Sequence, residues 1–526
     1  MSHQSFDVVI VGGGHNGLIC ANYLARAGVS VCVFEKRLEV GGGLSTEEAT
    51  LPGFQHNFHS VFHDCVEHMP AMKDLDLVRH GAEYILPPVQ VGMAFDDGRA
   101  VTIHTDRDKT VASLARFSEH DARAWAQMDD DYHDFVEALV MPALYASPPM
   151  PSEQTMALEQ SPEGMNYLRL GRATPADVAS QTFESEAARV AALFQLAVPR
   201  GVVTDYSGLG MLLPLVVTGV ERSHLARGGS HVLAHALWRA LLEAGGTVRG
   251  TYEVTKIVVD GGRAVGVELI TGERVEARKA VVSAIDLPQT FMDLIEPDQL
   301  EPEFRRRVSN FKLDEFSLFG VHLALREPPR YTSSAFDPDI EHALKVGIGF
   351  ETNHDFRTMW EQIRAGSAPD PRLYACCPSI HDPTQAPVGH HTALCWAPAP
   401  FELADGGPEA WDRIGSDYAQ RCLATWRKVA PNMDDDNILG MRVLTPLDVY
   451  RKLKSMPRGG VFHGRMTLDQ IEAFRPLPEL AKCTTPVDGL FLAGASLHPG
   501  GGILGACGYI AASEVLAHLG LNEWWD

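Results

Sequence analysis

An α/β fold whose parallel sheet is assembled from separated stretches of chain, with an α+β unit interleaved between them, is predicted by three observations. The N-terminus reads as a complete β-α-β unit with a glycine-rich turn at its first corner. The C-terminus reads as another apolar strand that runs into glycines and then a helix. The chain has 526 residues, too many for one compact core, so two or more domains must share it.

The elements follow in order. Residues 6–11 (FDVVIV) form a short apolar, β-branched run, the pattern of a strand buried on both faces. Gly12-Gly13-Gly14-His15-Asn16-Gly17 follows at once, then a helix over about 16–27 that Gly28 stops with a left-handed cap. A second apolar strand, 30–34, ends in Glu35. Residues 40–62 are rich in glycine and histidine and read as a functional loop. From about 111 to 225 the pattern turns helical, with breaks near Pro142, Pro148, Pro149 and Pro151. A helix over 228–246 has Ser230 as its N-cap, Leu233, Leu237 and Leu241 along one face, and Gly245 at its end. Strands at 253–259 and 264–270 form a hairpin across Asp260-Gly261-Gly262, and 279–284 (KAVVSA) is another buried strand. Residues 286–457 mix strand-like and loop-rich segments without a motif. A last strand, 489–494 (GLFLAG), runs into His498-Pro499-Gly500-Gly501-Gly502, and a helix from about Gly505 closes the chain. This pattern predicts one domain from 1–105, 226–290 and 458–526, and a second, with a helical insertion, from 106–225 and 291–457.

Composition narrows the function. An apolar fraction of 45% and a charged fraction of 21% are those of an ordinary globular chain, which excludes a disordered one. A net charge of −23 argues against nucleic acid and against an electrostatic hold on anionic lipid. It leaves open self-association, and a local apolar patch that meets membrane or an oily substrate. No run of about 18 apolar residues exists, so no spanning helix is predicted. The first strand begins by Phe6, which leaves no room for a signal peptide. The nine cysteines include adjacent Cys376 and Cys377 but no CxxC pair, and a reducing cytoplasm is the simplest home. Asp129 to Asp131 and Asp434 to Asp436 read as solvated faces.

Gly12-x-Gly14-x-x-Gly17 gains weight from its context of strand, helix and second strand. Gly12 permits the tight turn, Gly14 lets the backbone approach a pyrophosphate, and Gly17 lets helix and sheet pack closely. The helix start at His15 and Asn16 offers unpaired N–H groups to phosphates. Glu35, beside Lys36, is placed to accept hydrogen bonds from a ribose diol. The first domain is thus Rossmann-type, but the fingerprint does not separate NAD from FAD.

Glu35-Lys36-Arg37, followed by Val40-Gly41-Gly42-Gly43, Leu44 and Ser45-Thr46, resembles the second glycine motif of the amine oxidase and carotenoid desaturase group of flavoproteins. In that group the glycine pair brings the backbone to the diphosphate and ribityl chain, which implies FAD here. The arginine that usually follows the pair is Gly43 in this chain, so one charge contact to the diphosphate is missing. Pro52-Gly53-Phe54 also fits the group, whereas Asn57 and His59 stand where an Asp and a Gly are common, which weighs against a polyene substrate. The run from Asp488 to Ser496, then His498-Pro499-Gly500-Gly501-Gly502, Gly505, Gly508 and Ala511-Ala512, resembles the signature of the phytoene desaturase family. Its relatives include carotenoid isomerases, retinol saturases and pyridine nucleotide-disulphide oxidoreductase domain proteins. Gly228-Gly229-Ser230, Val254 and the strand ending at Ala284 resemble the family's middle section, where the residue at the Val254 position meets adenine through its backbone. The resemblance implies Gly494, Ala495, Gly501, Gly502 and Ile503 against the flavin. It also implies a helix that starts near Gly502 with its positive end toward the pyrimidine edge.

His56, His59, His63 and His68, with Asp64 and Cys65, have no spacing that fits a metal site. They read instead as a loop facing flavin and substrate, with His59 or His63 as proton acceptor. His498 is fixed by the motif and either shapes the backbone or takes part in catalysis. Trp396 and Tyr509 read as core packing rather than pocket wall. The expected function is that of an FAD-dependent dehydrogenase or desaturase. Hydride would pass from a C–H bond of a largely apolar small organic substrate to flavin N5, and the electrons onward to oxygen or a quinone. Flavin-dependent isomerisation or alkene saturation, amine oxidation, and a non-catalytic flavin-binding interaction protein are the alternatives.

Overall fold

An apolar strand with no polar face must be covered on both sides, and the strand Ser5–Val11 meets that demand at the middle of a seven-stranded sheet, where Val8, Val9 and Ile10 are fully buried. The computed structural model describes residues 5–525. Val31–Phe34 and Arg274–Ser283 pair parallel to the two sides of Ser5–Val11. Thr247–Arg249 extends one edge, and Leu490–Leu492 pairs parallel with Arg274–Ser283. The start, middle and end of the chain therefore share one sheet. Val254–Asp260 and Arg263–Leu269 complete it as an antiparallel hairpin whose two-residue turn, Gly261-Gly262, lies at positive φ as such turns require.

The helices His15–Arg26 and Ala506–His518 pack on each other, and His231–Glu243 packs on the first of them. Leu233, Leu237 and Leu241 are fully buried along that last helix. Ser230 does not cap it as expected: its N–H and its hydroxyl both go to Asn57 Oδ1, at 2.9 and 3.3 Å. The C-terminal helix starts at Ala506, after Gly500, Gly502 and Gly505 have all taken positive φ. It therefore does not begin near Gly502, because the chain is still turning there.

A second seven-stranded sheet runs in the order Ile438–Leu444, Ser317–Leu325, His391–Ala399, Leu373–Cys376, Ala343–Ile348, Val89–Ala94, Ala100–His104. Its last two strands come from inside 1–105, so the expected domain boundary at 105 falls late. Residues 89–104 form a hairpin around Gly98 that joins the second sheet through the parallel pair Val89–Ala94 and Ala343–Ile348. Helices from Arg107–Ala115 to Leu213–Val217 form the helical insertion. Asp129 is not on a solvated face: it is buried and paired with Arg107 and His133. No helix among the described residues is long and apolar enough to cross a membrane.

Where the strands of the first sheet end, backbones touch. A Cβ on Gly17 would stand 2.3 Å from the Gly12 carbonyl oxygen, and one on Gly494 would stand 2.1 Å from that of Ile285. A Cβ on Gly508 would stand 2.2 Å from the Asn16 carbonyl oxygen. Gly508→Ala should thus force the first and last helices apart and cost about 1–3 kcal/mol. Thermal unfolding of the variant checks this; a midpoint equal to the parent's would show that the two helices can separate freely.

Candidate active site

The parallel strands deliver their C-terminal ends to one rim: Val11 into Gly12, Phe34 into Glu35, Ser283 into Ala284, and Leu492 toward Gly494 and Ala495. Ligands of open α/β sheets bind beyond such ends. Two cavities open on this rim. One, of about 310 Å³, is bounded by Gly12, Glu35, Lys36 and Val254 among others; we call it the Glu35 cavity. The other, of about 130 Å³, is bounded by His15, Asn16, Gly43, His59 and Gly502 among others, and is the His59 cavity. Gly14, Gly42, Ala284, Ile285 and Ser455 line both, so the two are ends of one elongated groove.

The residues present fit a dinucleotide. A Cβ on Gly14 would meet nothing within 4 Å, and one on Gly42 would meet only Gly14 Cα. The two glycine loops thus face each other across bare backbone, which leaves room for a phosphate. Glu35 Oε2 accepts the Gly13 N–H at 2.8 Å and Oε1 accepts the Arg37 N–H at 2.9 Å. The expected ribose acceptor is thereby also the clamp that shapes the first glycine turn. Four buried polar atoms on the His59 cavity have no partner in the protein: His15 Nε2, His59 Nε2, Ser60 Oγ and His463 Nδ1. Groups of this kind call for a polar ligand.

Gly12, Gly14, His15, Asn16, Glu35, Lys36, Gly42, Gly43, His59, Val254, Ala495, Gly502 and Ile503 all line the groove. The remaining expected residues do not. Gly17 and Gly494 act through the backbone contacts already described. Leu44 is buried in the core, and the buried Ser45 donates its N–H to the Gly43 carbonyl. A Cβ on Gly501 would strike the Phe462 backbone at 2.4 Å, so this close approach requires glycine, and Gly501 borders the space next to Gly502 and Ile503. The last helix starts at Ala506, and the N–H of its Gly508 is met by Asn16 Oδ1 at 3.3 Å, while the helix start at His15 and Asn16 lines the cavity beside Gly502. His63 lies off the groove with Nδ1 bonded to the Tyr84 hydroxyl at 2.7 Å. His498 bonds the Ala143 carbonyl at 3.1 Å, a backbone-shaping role. The loop around residue 60 therefore offers one histidine to the cavity, and that is His59. A Cβ at Gly43 would meet the flexible end of Met456, Cε, at 2.8 Å, and nothing in the structure explains the missing arginine.

Sequence reasoning missed Ile285, Ser455, Met456, Phe462 and His463. Ile285 was findable, because it directly follows a buried parallel strand. The others sit on a loop punctuated by Pro457, Gly459 and Gly460, which marked irregular structure but not its destination. Trp396 lines the His59 cavity, against expectation, while Tyr509 packs among Tyr23, Tyr145 and Trp525 as expected.

Burial holds the histidines neutral. It lowers His15 and His463 to about 4, and His59, with help from the charges of Lys452 and Arg37, to about 3. Burial likewise lowers His63 to about 3 and His498 to about 4. Burial works to raise Asp64, but Arg200, Lys345 and Ser223 outweigh it and hold the carboxyl below its ordinary range. For each of these imidazoles the folded pKa lies below the unfolded value near 6.5. As pH falls below that value the unfolded chain gains protons that the folded one refuses, and stability is lost progressively toward pH 4. Each group contributes about 1.4 kcal/mol per pH unit in that window. Melting temperatures should therefore drop between pH 7 and pH 5, and His59→Asn should make the drop shallower; a flat profile would mean these rings are protonated in the fold.

Comparison with known proteins agrees with this geometry. The family described as Flavin containing amine oxidoreductase matches residues 17–516. One of the subunits of limonene dehydrogenase from Castellaniella defragrans is 32% identical, over 99% of this chain and 96% of its own. All-trans-zeta-carotene desaturase of Myxococcus xanthus is 26% identical over 94% and 90% of the two chains. Among solved structures, putrescine oxidase bound to putrescine superposes with a TM-score of 0.62 at 15% identity, covering 98% of this chain and 99% of that one, which speaks to the fold. The chain belongs to the flavin-containing amine oxidoreductase family, and it is an FAD-dependent oxidoreductase of the dehydrogenase and desaturase type that acts on a small organic molecule.

Proposed function

We propose that this enzyme removes hydrogen from a C–H bond of a compact, largely apolar molecule. The observation that carries the reading is the wall of the His59 cavity. Val61, Phe62, Leu318, Trp396, Met456 and Phe462 supply an apolar surface, and the imidazoles among them are neutral. The one carboxylate on that wall, Asp64, is already bound by Arg200 and Ser223. A cationic amine would find no free carboxylate there, and leaving its charge unpaired would be costly. The relative named for limonene, a hydrocarbon, supports the same choice.

Bound FAD would supply a two-electron acceptor at N5 of its ring. Glu35 and the facing glycine loops are suited to the adenosine and diphosphate end of the groove. Trp396 and Phe462 exclude water from the other end. His59 offers Nε2, unpartnered and neutral, as the atom that takes or holds a proton beside the substrate. An acceptor of the quinone or oxygen class would then collect the electrons. The nine cysteines, all free and buried, support a reducing cytoplasm as its location. The exposed Met150, Met156 and Met165 of the helical insertion support transient contact with a membrane or oily phase.

Two experiments test this reading. Glu35→Gln loses one charge-assisted acceptor, worth about 1.5–3 kcal/mol, and FAD affinity measured by fluorescence should fall roughly ten- to a hundredfold. Parental affinity would remove Glu35 from the site. Under anaerobic conditions, terpenes and other unsaturated hydrocarbons should bleach the flavin absorbance, whereas amines should not; bleaching by amines alone overturns the proposal. His59→Asn should slow that bleaching by about 10²–10⁴-fold, and His63→Asn, whose ring faces Tyr84, should leave it near the parental rate.

A further inference from the structure

Behind the His59 cavity lies a chamber of about 120 Å³, walled by Leu144, Leu196, Leu212, Leu215, Met466 and Leu504 among others. The two spaces share Asp64, Pro199, Phe462, Gly502 and Ile503, and are lobes of one cavity. The chamber wall also includes Pro199, Arg200 and Glu221. The same three residues bound a third cavity of about 100 Å³, whose other walls include the charged Arg107, Asp129 and Lys345. Arg200 thus stands in a partition between an apolar chamber and a polar one.

The partition is pinned from three elements. Arg200 ends the helix Glu186–Arg200, and its guanidinium bonds Asp64 at the end of the strand Phe62–Asp64. It also reaches Glu221, before the strand Ser223–Ala226, with Nε at 2.8 Å and Nη2 at 2.5 Å. Asp64 also accepts the Ser223 hydroxyl, to which Lys345 Nζ donates at 2.5 Å. The side chains of Arg200, Asp64 and Glu221 are only 22%, 11% and 7% exposed. Swinging one partner away would strand a buried charge, so the wall stays closed to thermal motion.

We propose that the Leu212 chamber receives the distal end of the substrate, and that the Arg200–Glu221 partition sets the greatest length the enzyme accepts. The proposal rests on the apolar-substrate reading above. An engineered apolar cavity of about 150 Å³ takes one benzene, or about 25 Å³ per carbon, so this chamber holds about five carbons beyond the His59 cavity. A compact terpene-sized molecule fits such a space, and a long polyene does not.

The test uses straight-chain primary alcohols, lengthened one CH₂ at a time, as probes of the FAD-loaded enzyme. Binding is read by calorimetry and by perturbation of the flavin's visible spectrum. In the parent, affinity should rise about fourfold per CH₂, the equivalent of about 0.8 kcal/mol, and stop rising when the chamber is full. Arg200→Ala combined with Glu221→Ala removes one cation and one carboxylate together, which keeps the buried charge balanced. Joined to the cavity beyond, the chamber should accept about four more carbons. Leu212→Trp fills the chamber without touching the ion pairs and should move the limit down; it decides the case if the double variant does not fold. A limit that stays put in every variant that folds overturns the proposal. If no alcohol of any length binds the parent, the apolar-substrate reading itself fails.

Discussion

Backbone contact at the rim of the first sheet is the constraint on which the rest of the structure depends. The turn at Gly12, the helix start at Asn16, the strand exit at Ala284-Ile285 and the crossing at Gly494 leave no room for a Cβ at Gly17, Gly494 or Gly508. Overpacking such a point is expensive because dense interiors cannot yield locally. Residues nearly five hundred positions apart are consequently fixed within contact of one another, and the groove between the two glycine loops inherits that rigidity. A cradle of bare backbone needs no side chain to move when a ligand arrives.

The other wall of the groove is held by a different device. Arg475 is fully buried and donates to the carbonyls of Phe462 at 2.9 Å and Leu497 at 3.0 Å. Asp314 accepts the N–H groups of Phe462 and Gly464 at 2.9 and 2.7 Å. Together they bind the loop carrying Phe462 and His463 to the glycine run of the C-terminus. A buried guanidinium spread over several carbonyls satisfies donors that would otherwise be costly to bury. It also positions Phe462 as the shared wall between the His59 cavity and the Leu212 chamber.

This contrast explains what was legible in the sequence. The glycine turn, Glu35, the strand over 279–284 and the C-terminal glycines are local patterns, each with its own physical signature. The loop at Ser455 to His463 depends on Arg475 and Asp314, which lie elsewhere in the chain, and no spacing records that pairing. The hairpin over residues 89–104 carries no motif and nothing local names its partner strand, so its membership of the second sheet was hidden. His59 and His63 looked equivalent because both sit in one irregular stretch. Only the fold turns one into the cavity and ties the other to Tyr84.

The electrostatics of the site follow from the same burial. In a chain of net charge −23, the cavity wall carries no unbalanced charge: its imidazoles are neutral, and its one carboxylate is spent on Arg200 and Ser223. A wall without unpaired charge avoids the largest desolvation penalty on meeting an apolar guest, while its four unpartnered polar atoms would be met by the polar groups of the cofactor. The ion pairs that achieve this neutrality are the ones that build the partition beyond the Leu212 chamber, so selectivity for apolar character and selectivity for length share a single network. The same neutrality makes the fold acid-sensitive, since a protonated imidazole inside that wall would be a buried charge without a partner. Tolerance of low pH could be gained only by opening the wall to water, and with it would go the dry surface that holds an apolar substrate.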